Sequence, residues 1–129
     1  DKIIDRDFTS VAPDMEMGQL VHALSSSRND YIPVLNESGC LMGEIDITKL
    51  RHIIFRTELY HRFHVSQLMT PPAATLGVND PMEDVMKTFE RTGAQYLPVV
   101  NIDSQLVGYI SRARLYSMYR QFVADFSAE

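Results

Sequence analysis

Tyr31-Ile32-Pro33-Val34, the turn cluster Asn36-Glu37-Ser38-Gly39, and the run to Gly43-Glu44-Ile45 form the stretch that decides the fold. The apolar residues after Pro33 and before Gly43 are β-formers, and the Asn-Glu-Ser-Gly between them is turn chemistry, so the stretch reads as a hairpin. A near-copy follows: Tyr96-Leu97-Pro98-Val99, then Asn101-Ile102-Asp103-Ser104, then Gly108-Tyr109-Ile110. Tyr31 matches Tyr96, Pro33 Pro98, Asn36 Asn101, Leu41 Leu106, Gly43 Gly108 and Leu50 Leu115, all at the single offset of 65 residues that separates 31 from 96. A constant offset over this many positions is the mark of a tandem repeat.

Working outward, each hairpin sits inside one larger unit. Ile3 to Val11 opens the first as a short strand ending at Pro13, and Asp14 is the expected N-cap of a helix whose apolar stripe is Met17, Leu20, Val21 and Leu24. Ser25 to Asp30 closes that helix, the hairpin follows, and Leu50, Ile53 and Ile54 give a second amphipathic helix. The second unit repeats the order. Thr70 to Leu76 leads to Asn79-Asp80-Pro81 as cap and first helical residue. Met82, Val85, Met86 and Phe89 form its stripe, and Thr92-Gly93 its end. The last helix, from Arg112, outruns its counterpart and carries Leu115, Met118, Tyr119, Phe122, Val123 and Phe126 on one face. That stripe is expected to cap the chain's own core or a twin's, or to dock on a part of the protein outside this chain. The expected architecture is α+β: two β-α-β-β-α units with pseudo-two-fold symmetry, at 1–55 and 68–129, joined by an ordered connector at 56–67 rich in Leu, Tyr and Phe.

A chain of 129 residues that is 45% hydrophobic and 22% charged has the size of one globular domain, with one core expected to be shared by the two halves. A net charge of −5 argues against a nucleic-acid or anionic-membrane surface, which needs an excess of Lys and Arg. The apolar runs are too short to span a bilayer. The start at Asp1 without Met is expected to mark a piece of a longer protein, and the lone Cys40 suits a reducing compartment.

With these elements in place, the chain resembles a tandem pair of CBS (cystathionine-β-synthase) motifs, a Bateman module, over nearly its whole length. The segment Arg51 to Tyr60, then Phe63-His64-Val65 and Leu68-Met69-Thr70-Pro71-Pro72, resembles the inter-motif segment of CBS pairs in the cytosolic C-terminal region of bacterial CLC chloride channels and transporters. The resemblance implies a regulatory module and not a catalyst. It implies a homodimer on the cytoplasmic face of a membrane, under a transmembrane domain of the same protein, with AMP, ADP or ATP as regulatory ligand in clefts between the copies.

The family's ribose pattern places a Ser or Thr three residues after Gly and an Asp three further on, and this chain departs from it. Gly43 is followed by Asp46 and Lys49 at those places, and Gly108 by Ser111 and Arg114. The missing carboxylate removes charge-assisted bonds worth roughly 1.5–3 kcal/mol. By the resemblance, the favoured cleft is lined by Met69, Thr70, Ala73, Ala74, Ala94, Gln95 and Leu97, facing Asp46 and Lys49, with Lys49 meeting a phosphate. The other is lined by Ile4, Asp5, Thr9, Asn29, Asp30 and Ile32, facing Ser111 and Arg114, and its carboxylates oppose an anion. Two further readings stay open: an adenylate-sensing module of a soluble enzyme, and a ligand-free dimerisation scaffold.

Other chemistry finds less support. His61 and His64 stand beside Glu58 at ligand-like spacing but lack a third ligand, so they read as solvated connector residues. His22 reads as a helix-surface residue, His52 as a packing residue, and Cys40 as an incidental small residue of the turn. Met17, Met82, Met86 and Met118 read as core or interface filler. There is no phosphate loop and no nucleophile elbow.

Overall fold

A computed structural model describes residues 3–27 and 30–127. The elements run α1 (Met17–Ala23), β1 (Tyr31–Leu35), β2 (Leu41–Asp46), α2 (Ile47–Leu50), α3 (Val65–Leu68), β3 (Leu76–Gly77), α4 (Met82–Thr92), β4 (Tyr96–Val100), β5 (Leu106–Ser111) and α5 (Arg112–Ser127). The mixed α+β repeat is as expected. β1 and β2 form one antiparallel hairpin, and β4 and β5 form another to which β3 adds in parallel.

The hairpins are the same object twice. Val34 faces Gly43 and Val99 faces Gly108, and each register slips one step later. The turns are set by the matched asparagines. Asn36 Oδ1 accepts from the backbone N–H of Ser38 and Cys40 at 2.9 Å, and Asn101 Oδ1 from those of Asp103 and Gln105 at 3.0 Å. The turn then needs a left-handed residue, supplied by Gly39 at φ 82° and, 65 positions later, by Ser104 at φ 64°.

The two copies are stitched by exchanging their opening segments. Asp5 and Tyr109 trade backbone hydrogen bonds at 2.8 and 2.9 Å, and Thr70 and Glu44 do the same at 2.8 Å. These pairs are images of each other under the repeat. Further along, Val11 bridges Val34 and Leu76 pairs with Val99. The expected strand over Ile3 to Val11 is therefore a crossing: Asp5 bonds to the second copy and Val11 to the first, so no continuous ladder forms between them. The close approach requires glycine. A Cβ on Gly43 would sit 3.1 Å from both Met69 Sδ and the Thr70 carbonyl, and one on Gly108 would run into the Asp5 carbonyl. The hairpin tips also meet across the axis, with Leu41 N–H on the Ser104 carbonyl at 3.1 Å and Leu106 N–H on that of Gly39 at 3.0 Å.

One shared core was expected, but there are two clusters, one per copy. Ile3 and Ile4 belong to the second copy's cluster, with Leu76, Phe89, Leu97 and Leu115. Val65 belongs to the first, with Leu20, Ile32, Val34 and Ile45, and Leu68 and Met69 pack against it. The crossing of the opening segments splits the core while tying the halves together.

Several local expectations change. α1 begins after Glu16, whose N–H is held at 2.9 Å by Gln19 Oε1, so Asp14 is not the cap. Pro81 is the N-cap of α4 rather than its first residue, and Asp80 Oδ2 instead accepts from Gly77 N–H at 2.8 Å. α2 lasts one turn, and His52 is exposed rather than packed. Cys40 is not incidental: its Sγ meets the Asp103 carbonyl at 3.3 Å across the axis. The connector is ordered, packed on α1 through Met17 N–H to the Phe63 carbonyl at 2.8 Å and Gly18 N–H to that of Tyr60 at 3.1 Å. Among the described residues, no helix is long and apolar enough to cross a membrane.

Candidate functional site: the cleft between the copies

A cavity of about 210 Å³ opens between the two copies, lined by Tyr31, Glu44, Asp46, Lys49, Thr70, Pro71, Ala73, Ala94 and Tyr96. The repeat explains its shape. Tyr31 and Tyr96 are matched residues at the starts of β1 and β4, paired with Asp46 and Ser111 respectively. Both tyrosines are partly exposed, so two aromatic rings and two alanines supply the apolar wall. Lys49, on α2, supplies the one cation of the lining among the described residues.

Asp46 has two tasks here. As N-cap of α2, its Oδ1 accepts from Thr48 N–H at 3.1 Å and from Thr48 Oγ1 at 2.6 Å. It also borders the cavity. Its repeat partner Ser111 caps α5 in the same manner, with Oγ accepting from Arg114 N–H at 3.0 Å.

Glu44 also lines the cavity and is the buried charged residue among the described residues, at 6% exposure. Its Oε2 accepts from the Tyr109 phenol at 2.7 Å. Burial pushes the carboxyl above its ordinary value and Asp46 adds to the push, while the Tyr109 hydrogen bond pulls the other way. Burial also raises the Tyr109 hydroxyl strongly, helped by Glu44, which keeps it a donor. Tyr31 is raised by burial first and then by Asp46, Glu44 and Asp30.

The structure brings together Asp46, Lys49, Thr70, Ala73 and Ala94 of the favoured cleft. Met69 instead packs against the first copy's core, Ala74 against the second's, and Leu97 is core at 1% exposure. Gln95 is exposed, and its carbonyl accepts from Arg112 N–H at 2.8 Å. Alternation along the strand explains the loss of Leu97: Tyr96 faces the cleft, so its neighbour points inward.

The second cleft fares worse. A cavity of only about 30 Å³ lies near it, lined by Asp7, Phe8, Thr9, Ser26, Ser27, Tyr31, Pro33 and Tyr109. Of the described residues assigned to that cleft, it includes Thr9 alone. Ile4 is core, and the backbones of Asp5 and Asp30 pair with Tyr109 and Ile47. Ile32 is fully buried, and Asn29 lies outside the described residues. Ser111 and Arg114 border neither cavity. Phe8 and the Tyr109 ring fill the space edge to face, 6.4 Å apart.

Glu44, Tyr31, Tyr96 and Pro71 escaped the sequence reading. The signal for Glu44 was present: a carboxylate between Gly43 and Ile45 in a strand, at the place where the other copy carries Tyr109. His61 Nδ1 pairs with Glu16 Oε1 at 2.9 Å, and no cluster of three metal-ligating side chains occurs among the described residues. Arg112 stacks over Tyr116 at 5.1 Å.

Elsewhere, a groove of about 700 Å³ runs between α4 and α5, lined by Met82, Glu83, Met86, Lys87, Glu90, Met118, Tyr119 and Phe122. Along α5 only Leu115 is buried, while Phe122 is 66% and Phe126 73% exposed. Beyond Leu115, the long stripe does not cap the chain's own core.

Comparison with known proteins agrees with this fold. The family model described as "CBS domain" matches residues 1–56 and 65–120. Among curated proteins, the choline transport ATP-binding protein OpuBA of Bacillus subtilis is 23% identical over 115 residues, which are 89% of this chain and 29% of that protein. The glycine betaine/carnitine/choline transport ATP-binding protein OpuCA of the same organism is 21% identical over the same shares. The chain thus spans under a third of the length of these relatives. Among solved structures, Staphylococcus aureus OpuCA superposes with a TM-score of 0.77 at 20% identity, over 95% of this chain and 99% of that one. CBSX2 in complex with AMP gives 0.73 at 20%, over 94% and 95%. The CBS domain of a bacterial CNNM/CorC family Mg2+ transporter in complex with ATP gives 0.75 at 16%, over 89% and 82%.

Proposed function

The chain belongs to the CBS domain family, as two copies in tandem, and on that premise we propose that it regulates a membrane transport protein by binding an adenine nucleotide between its copies. The observation that carries this reading is the cavity to which both copies contribute, with two tyrosines and two alanines for a base and Lys49 for a phosphate. The AMP and ATP bound by CBSX2 and the CNNM/CorC domain support the ligand class. The absent ribose carboxylate makes the nucleotide weak, and AMP, ADP and ATP compete for the same place.

The finer identity follows the connector: the module lies on the cytoplasmic face beneath a CLC-type chloride channel or transporter, as a regulator rather than a catalyst. It pairs with a second copy through the open α4–α5 groove. Its apolar lining from Met82, Met86, Met118, Tyr119 and Phe122 can face a copy of itself, and Glu83, Lys87 and Glu90 on its rim carry both charge signs. A pair placed beneath a dimeric pore controls it only if ligand binds the module's states unequally.

The test is chloride efflux from vesicles carrying the whole protein, with and without millimolar ATP or AMP. The reading expects an efflux that nucleotide changes and that Lys49→Ala makes indifferent to nucleotide. An absence of chloride flux removes the channel identity, and a flux blind to nucleotide leaves a scaffold alone.

A further inference from the structure

We propose that a phosphate-bearing ligand enters the cleft between the copies together with a proton that lodges on Glu44, so that this residue sets the charge the cleft accepts. The inference rests on the nucleotide reading above and adds to it the chemistry of entry.

Glu44 and Asp46 from β2 face the cavity against one cation, Lys49 of α2. Among the described residues, the other groups packed around Glu44 carry no charge to offset it: Tyr31 of β1 and Tyr109 of β5 present phenols, and Thr70 pairs with Glu44 through its backbone. Asp5, whose backbone holds Tyr109 in place, adds no cation. With Glu44 ionised, the lining is net negative and opposes a phosphate. Protonating it leaves Asp46 and Lys49 to cancel.

The geometry makes Glu44 the group that yields. Asp46 is half-buried, and its Oδ1 already accepts from the Thr48 N–H and hydroxyl. Glu44 is buried, and the one described donor to its carboxyl is the Tyr109 phenol at 2.7 Å. Burial already favours its neutral form, and a phosphate beside Lys49 favours it further. Protonated Glu44 keeps an oxygen for Tyr109 and gains a donor in place of a charge.

The experiment is calorimetric titration of the 129-residue chain with AMP in two buffers of different ionisation enthalpy. It runs from about pH 7 to 8.5, above the value near 6 at which a phosphate monoester itself titrates. The expected result is net proton uptake, with affinity falling by up to about tenfold per pH unit as one linked proton requires. Glu44→Gln, which mimics the protonated side chain, is expected to bind AMP more tightly than the native chain at the upper end and to lose the slope. Tyr109→Phe is expected to move the fall in affinity to higher pH, since it removes the bond that favours the charged carboxyl. AMP binding with no proton uptake, or a slope retained in Glu44→Gln, overturns the proposal and leaves the nucleotide reading standing. An absence of AMP heat across the whole range overturns both, and the native chain alone decides that arm.

Discussion

Glu44 and Tyr109 occupy the same position in the two copies, 65 residues apart, and their side chains meet at the pseudo-two-fold axis in a 2.7 Å hydrogen bond. A symmetric repeat would put like beside like there. Two glutamates would repel across a buried axis, and two tyrosines would crowd it. Divergence at one matched pair instead yields a donor and an acceptor, so the interface is completed by unlike residues at like positions.

The buried carboxyl gives stability a pH dependence of definite sign. The folded chain holds a proton on Glu44 more tightly than the unfolded chain does, because burial raises its pKa above 4.5. The folded state therefore binds more protons as pH rises from about 4.5 towards the raised value. Urea midpoints are expected to fall across that window, with a slope of at most about 1.4 kcal/mol per pH unit from this group. Glu44→Gln removes that part of the slope. A native-like fall persisting in the variant places the effect elsewhere.

Tyr109→Phe deletes the donor and keeps the ring against Phe8. The carboxyl then stays buried without its partner, at a cost of about 1–3 kcal/mol near neutral pH. The loss is expected to shrink as acid protonates Glu44, so denaturation at low and neutral pH measures the same bond in two charge states.

The exchanged segments predict an asymmetry between two glycines. Gly108→Ala drives a methyl into the Asp5 carbonyl, held by Tyr109 N–H, and into Ile4, fixed in the second copy's core. A cost of about 1–3 kcal/mol is expected from overpacking. Gly43→Ala meets Met69, whose flexible side chain gives way, though the Thr70 carbonyl at 3.1 Å does not. Thermal denaturation is expected to rank Gly108→Ala as the more damaging of the two.

Phe122 tests the self-association surface. Phe122→Glu places charges on the apolar stripe between α4 and α5 without touching the core, since the side chain is 66% exposed. Sedimentation is expected to show a native dimer and a monomeric variant of unchanged melting at low concentration. A native monomer at high concentration contradicts the proposed contact.

The repeat was legible because it is written in local chemistry. Matched asparagines, glycines and Tyr-x-Pro-Val runs state the hairpins outright. Helix starts were harder, since Asp14 and Asp80 look like caps, while Glu16 and Pro81 hold those positions. The cleft was legible in part. Lys49, Asp46 and Thr70 came from the resemblance, but Glu44 required knowing that Tyr109 reaches it from the other copy. The exchange of Ile3 to Val11 between the copies is a long-range pairing, and its local pattern reads the same as an ordinary strand.

The central claim is that the cleft at Lys49, and not the one at Ser111, takes an adenine nucleotide. Amide spectra of the chain during titration with AMP test it most directly. The account predicts saturable shifts at Lys49, Thr70 and Ala94, with Ser111 and Arg114 unmoved, and loss of those shifts in Lys49→Ala. No shift at millimolar AMP, or shifts centred on Ser111 and Thr9, would contradict it.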